Sequence, residues 1–160
     1  MPLIARGPGI APGSVCRVPV VGYDFLATFV DLVGGDTSQL PAEVDGASFK
    51  KLLSDPDAGP LARDTGGIIF HRPERLFSAI RSDDHKLMLF WKLDGTVRSR
   101  ELYDVSENPT EEGRDIAAKQ PEQAATMEQT LLGHLESVDA EKPKVRPPKR
   151  KKGPGKQVAR

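Results

Sequence analysis

Residues 86–103 read KLMLFWKLDGTVRSRELY, and this stretch decides the fold class. An apolar and aromatic run is followed by Asp94-Gly95, the dipeptide most typical of a tight β-hairpin, and a second run extends from Val97 to Tyr103. Two further apolar runs precede this hairpin, at residues 67–70 and 76–80. We therefore predict an antiparallel sheet of three or four strands joined by tight turns.

A helical pattern follows the predicted strands. Pro121 suits the first turn of a helix, with Gln120 as a mediocre cap. Apolar residues then recur at helical spacing, namely Ala124, Met127, Leu131, Leu135 and Val138. Such a stripe usually packs on a core, so we expect this helix to cover the small sheet and the chain to be an α+β protein.

The first half of the chain is less regular. Residues 2–5 are predicted as a short strand before the turn at Gly7-Pro8-Gly9. Asp24 is the predicted N-cap of a helix that stops at Gly34-Gly35, and nearly every apolar residue of this helix should be buried. Further along, residues 48–53 predict one or two helical turns, and residues 36–47 and 54–66 predict loops.

A formal net charge of zero conceals two parts of opposite charge. Residues 1–141 contain 14 Lys and Arg against 23 Asp and Glu, whereas residues 142–160 contain nine Lys and Arg and no acid. This basic tail has four prolines and few apolar residues, so it cannot offset the entropy lost on ordering and is predicted to be disordered.

The tail is the candidate for contact with a polyanion, through Lys149, Arg150, Lys151 and Lys152. A solvated tail without a specific partner is the simpler interpretation. The tail contains no aromatic residue that could stack on a base, so we expect no specific binding of nucleic acid.

Residues that usually mark a catalytic or metal site form no recognisable pattern. His71, His85 and His134 lie in three different segments, none with a second ligand at metal spacing. Neither a nucleophile elbow nor a glycine-rich phosphate loop occurs. Cys16 allows no intrachain disulfide and is interpreted as a half-buried structural thiol.

The sequence gives little indication of a compartment. No apolar run approaches the length of a membrane span, and the first nine residues do not have the pattern of a signal peptide. From the residues alone, the chain is an α+β domain of unknown use.

Short phrases stand in a characteristic order along residues 1–138. In the first half they are Pro2-Leu3-Ile4, Pro8-Gly9, Gly13-Ser14, Val18-Pro19-Val20, residues 27–34 (ATFVDLVG) and residues 45–49 (DGASF). In the second half they are residues 78–81 (SAIR), 84–88 (DHKLM), 101–105 (ELYDV), 108–111 (NPTE) and Pro121-Glu122. In this order they resemble the segment that follows the active-site motifs in arylsulfatase-type sulfatases.

The resemblance implies a division of the chain. Residues 1–53 would form the end of the large α/β sulfatase domain, residues 54–140 the small C-terminal subdomain, and residues 141–160 the disordered tail. A full-length relative would hydrolyse sulfate esters, for instance of sulfated sugars, and relatives are often exported to the periplasm, the lysosome or the extracellular space.

The resemblance also implies which chemistry this chain lacks. Sulfatases of this type use a formylglycine, made in a C-x-P-x-R motif, and a calcium ion held by Asp and Asn side chains. Cys16 is followed by proline one position too late and by no arginine at the end of the motif. We therefore assign no catalytic residue and no cofactor to this chain, and we expect the chain alone to be inactive.

In such an enzyme the subdomain would close one side of the substrate cleft. His71, Arg72 and Arg75, in a predicted loop between two strands, are the candidates for reaching that cleft, and the arginines would suit an anionic sugar. A surface loop without a ligand is the competing interpretation. The alternative function is a non-catalytic module that docks on a partner or a polyanion through its tail.

Overall fold

A computed structural model of the chain describes residues 2–107, 109–111 and 113–143. Its regular elements are helices α1 (Asp24–Leu32) and α2 (Lys50–Ser54), strands β1 (Ile68–Arg72), β2 (Phe77–Ser82), β3 (His85–Trp91) and β4 (Val97–Asp104), and helix α3 (Pro121–Ser137). Two short 3-10 helices lie at Thr37–Gln39 and Pro73–Arg75. The predicted disordered tail lies outside the described residues from position 144 onward, and with it Lys149, Arg150, Lys151 and Lys152.

The four strands form one antiparallel sheet in the order β1-β2-β3-β4, which confirms the predicted fold class. The predicted hairpin joins β3 to β4. Gly95 adopts a φ of 82°, and the Asp94 carboxylate accepts hydrogen bonds from the Thr96 amide at 2.8 Å and the Thr96 hydroxyl at 2.6 Å. A carboxylate that bonds its own turn in this way stabilises the turn, and turn geometry together with the apolar pattern sets the register of the strands.

Helix α3 covers one face of the sheet, as predicted. The residues of its stripe that are buried are Ala124, Met127, Leu131 and Leu135, and they pack on Ile80, Leu87, Leu89, Trp91 and Leu102. Burying a large aliphatic side chain contributes about 1.5–3 kcal/mol, so this cluster is the main source of stability in the C-terminal half. The prediction that Val138 belongs to the stripe is wrong, since Val138 lies just beyond the helix and is 55% exposed.

The N-terminal segment has no regular secondary structure between residue 2 and Asp24. The prediction of a strand at residues 2–5 is therefore wrong, although the turn at Pro8-Gly9 is present. A strand exists only where a neighbour pairs with its backbone groups, and no described strand lies beside this run. Ile4 is 90% exposed as a result.

Helix α1 begins at Asp24, so Asp24 is not its N-cap and that prediction is wrong. Burial also differs from the expectation. Ala27 and Thr28 are buried on the side that faces the rest of the chain, whereas Leu26, Phe29 and Leu32 are 50%, 59% and 47% exposed. The sequence predicts the helix correctly but not its surroundings, because no described residue covers its outer face.

Candidate functional site

The three predicted cleft residues lie at one end of the sheet. His71 and Arg72 belong to β1, and Arg75 belongs to the 3-10 helix that follows, so the prediction that all three lie in a loop is wrong. Strand β1 continues past its apolar run because His71 pairs with Ser78 and Arg72 with Phe77. Successive residues of a strand point to opposite faces, so His71 and Arg72 do not share a surface.

His71 is held at both ring nitrogens. Nδ1 lies 2.8 Å from Ser78 Oγ, and Nε2 lies 2.7 Å from the carbonyl oxygen of Glu141. The Trp91 indole donates to the same Ser78 oxygen at 2.8 Å. Because a carbonyl can only accept, the network assigns the ring proton to Nε2 and lets Nδ1 accept from the Ser78 hydroxyl. Ser78 is completely buried and His71 is partly buried, so this serine–histidine pair ties the C-terminal segment to β1.

The two arginines are more accessible. Arg72 Nε donates to Glu74 Oε1 at 3.2 Å in a pair whose arginine side chain is 55% exposed, and Arg75 is exposed as well. Surface pairs of this kind contribute about 0–1 kcal/mol. The role of Arg72, Arg75 and His71 in a substrate cleft stays a prediction.

A buried ion pair connects α1 to the loop before β1. Arg63 Nη1 and Nη2 donate to Asp24 Oδ1 and Oδ2 at 2.5 and 2.7 Å, and the side chains are 5% and 0% exposed. The same carboxylate accepts from the Val21 amide at 2.7 Å and from the Ala47 amide at 3.1 Å. Four donors converge on one buried carboxylate, so the arrangement locks these segments together and leaves little capacity for a ligand.

The electrostatics of this pair follow from its contacts. Burial by itself would raise the pKa of Asp24, but the hydrogen bonds from Arg63 and the two amides outweigh burial and hold the pKa below its ordinary value. The hydrogen bond to Asp24 raises the pKa of Arg63 in turn. Both groups are therefore charged at neutral pH.

A cleft of about 740 Å³ separates the N-terminal segment from the face of the sheet opposite α3. Its charged lining residues are Arg17, Arg81, Lys86 and Glu111, and its apolar ones include Val18, Phe49, Leu52, Ile68 and Phe70. The Lys86 ammonium lies 2.8 and 2.9 Å from the two carboxylate oxygens of Glu111. Sequence reasoning missed this cleft, because the segments that line it are far apart in the chain.

Cys16 lies at the edge of the cleft and is exposed. The interpretation as a half-buried structural thiol is wrong, because Cys16 and its neighbours from residue 11 to residue 17 are exposed. Among the residues from 2 to 143 that the structure describes, no three His, Cys, Asp or Glu side chains are grouped so that they could hold a metal ion. Calcium and formylglycine stay an implication of the resemblance for a full-length relative.

In the described part of the chain, no helix has the length and apolar character needed to cross a membrane.

No protein-family model matches the sequence. Solved structures do match. One is yidJ of Bacteroides fragilis, a protein assigned as a sulfatase, with a TM-score of 0.59 and 17% identity over 82% of this chain and 28% of that chain. Another, designated 4S-sulf, is described with a Bacteroides thetaiotaomicron locus that orchestrates the metabolism of multiple glycosaminoglycans. It matches with a TM-score of 0.51 and 17% identity over 72% of this chain and 26% of that chain. At this identity the likeness shows a shared fold, and this chain spans about a quarter of the length of each structure.

Proposed function

We propose that this chain is the C-terminal portion of a sulfatase, which hydrolyses sulfate esters, and that it contributes structure rather than the nucleophile. The observation that carries the proposal is the fold shared with yidJ over 82% of the chain. The order of family-like phrases supports it independently, and these phrases coincide with structural elements: residues 78–81 lie in β2 and residues 101–104 lie in β4.

The uncovered face of α1 supports the proposal that the chain belongs to a larger folded unit. Leu26, Phe29 and Leu32 are about half exposed, and Val33 is 86% exposed. Each large apolar side chain left in water forgoes about 1.5–3 kcal/mol of stabilisation. In a longer sulfatase, the three quarters of the chain that this sequence does not match would provide a surface for these residues.

The substrate class that we propose for the complete enzyme is a sulfated small molecule or polysaccharide. The glycosaminoglycan context of one matched structure favours a sulfated sugar. The exposed guanidinium groups of Arg72 and Arg75 are suited to contact such an anion, since a guanidinium can donate two parallel hydrogen bonds to one sulfate.

The test begins with the DNA upstream of the codon for Met1. An in-frame stretch that encodes C-x-P-x-R is expected, and the longer product should hydrolyse an aryl sulfate in the presence of calcium, whereas the 160-residue chain should not. The matched control is the longer product with its motif cysteine changed to alanine. Turnover by the 160-residue chain that Cys16→Ala abolishes would show that the proposal is wrong.

A further inference from the structure

Two cations lie side by side on the floor of the cleft. Arg81 in β2 is paired directly with Lys86 in β3, and both side chains line the cleft. Residues that face each other in an antiparallel pair have Cβ atoms about 4.5–5.5 Å apart, and like charges at such positions destabilise the sheet. Both side chains are half-buried, so water screens their repulsion only in part.

Only one of these two charges has a counter-charge within the described chain. Lys86 binds Glu111 through both carboxylate oxygens. Arg81 forms no ion pair with a described carboxylate, and its buried Nε has no hydrogen-bond partner among the described residues. A buried donor without an acceptor is destabilising, and such violations of the usual rules are concentrated at functional sites.

The surfaces beside Arg81 are apolar. Ile68 is its neighbour across the sheet in β1, and Phe70, 46% exposed, continues the floor in the same direction. Val18 and Leu52 also line the cleft. The volume of about 740 Å³ lies within the range of small-molecule sites. The cleft therefore combines an uncompensated cation with an apolar surface.

We propose that this cleft binds an organic anion, with an oxyanion group on Arg81 and an apolar body against Ile68 and Phe70. The guanidinium donates to the oxyanion, and Lys86 stays paired with Glu111. The shared chemistry is that of a sulfate or carboxylate group attached to a ring or chain. Ile68, Phe70 and Arg81 lie in β1 and β2, so these contacts depend on the sheet and not on the proposed function.

The test is a titration of the full 160-residue chain with phenyl sulfate, benzoate and phenol, followed by the amide resonances of β1 and β2 and by calorimetry. Phenyl sulfate or benzoate should bind at least tenfold more tightly than neutral phenol, and the tighter of the two identifies the oxyanion. Arg81→Gln should weaken that binding at least tenfold. Arg100→Gln is the control, because Arg100 is exposed and pairs with Glu128 outside the cleft.

Thermal unfolding separates binding from folding. The bound anion should raise the Tm of the unmodified chain and leave the Tm of Arg81→Gln unchanged, while Arg81→Gln without ligand should be at least as stable as the unmodified chain. The proposal is overturned if the unmodified chain binds neither anion more tightly than phenol, or if Arg81→Gln binds as well as Arg100→Gln. It is overturned as well if Arg81→Gln fails to fold, because Arg81 would then be structural.

Discussion

At the scale of single residues, Asp24 shows why a correct position can receive the wrong role. A carboxylate before a helical pattern has the properties of an N-cap. In the structure Asp24 binds Arg63, 39 residues further along the chain, and local pattern contains no signal of that contact. The only sequence signal for the role of Arg63 is that it is the one arginine in a loop rich in proline, glycine and aspartate.

Removing Arg63 should release α1. Arg63→Met leaves Asp24 as an unpaired buried charge, a change that costs about 3–5 kcal/mol in buried pairs. Hydrogen exchange should show that α1 loses most of its protection while β3 and α3 keep theirs. Arg63→Gln combined with Asp24→Asn is the matched control, and it should retain more protection because it leaves no charge behind. Unchanged exchange of α1 in Arg63→Met would contradict the proposed lock.

The same pair predicts a dependence on pH. The folded chain holds the pKa of Asp24 below its ordinary value of 3.8, so ionised Asp24 stabilises the fold above about pH 4. That stabilisation is lost as pH falls through the lower pKa of the folded state, because protonation removes the acceptor for Arg63. Tm measured from pH 6 to pH 2.5 should fall more steeply at the acid end for the unmodified chain than for Asp24→Asn. Parallel curves would be evidence against this linkage.

At the scale of elements, the sequence predicts correctly those helices and strands that depend on residues close together in the chain. The β3–β4 hairpin depends on Asp94-Gly95 and alternating apolar residues, and α3 depends on Pro121 and a stripe of helical period. The strand expected at residues 2–5 and the burial of α1 depend instead on partners distant in the chain, which a local pattern does not contain. His71 and Arg72 were predicted in a loop for the same reason, although they belong to β1.

Two substitutions compare the stability contributed by a covered helix face, on α3, with that of an uncovered one, on α1. Leu131→Ala removes a completely buried side chain from the contact between α3 and the sheet and should cost about 2–5 kcal/mol in urea unfolding. Phe29→Ser changes an α1 residue that is 59% exposed, so it should alter stability far less and should increase solubility. Equal losses of stability in both variants would mean that a surface covers α1 in solution.

At the scale of the whole molecule, the two halves differ in how completely their own elements bury their apolar residues. The C-terminal half contains a complete sheet, its covering helix and a continuous apolar core. The first third has α1 with one covered side, a segment without secondary structure and the ion pair that holds α1 in place. A chain of this kind is expected to be stable only where its own elements complete each other.

Hydrogen exchange of the isolated 160-residue chain tests the central claim, that the chain is the end of a larger domain. The account predicts slow exchange in residues 86–103 and 122–137, where the sheet and α3 bury each other. It predicts faster exchange in residues 2–33, where the apolar face of α1 lacks a partner and the Asp24–Arg63 pair gives α1 only part of that protection. Equal protection of both regions would contradict the claim, because the chain would then complete its own fold without further sequence.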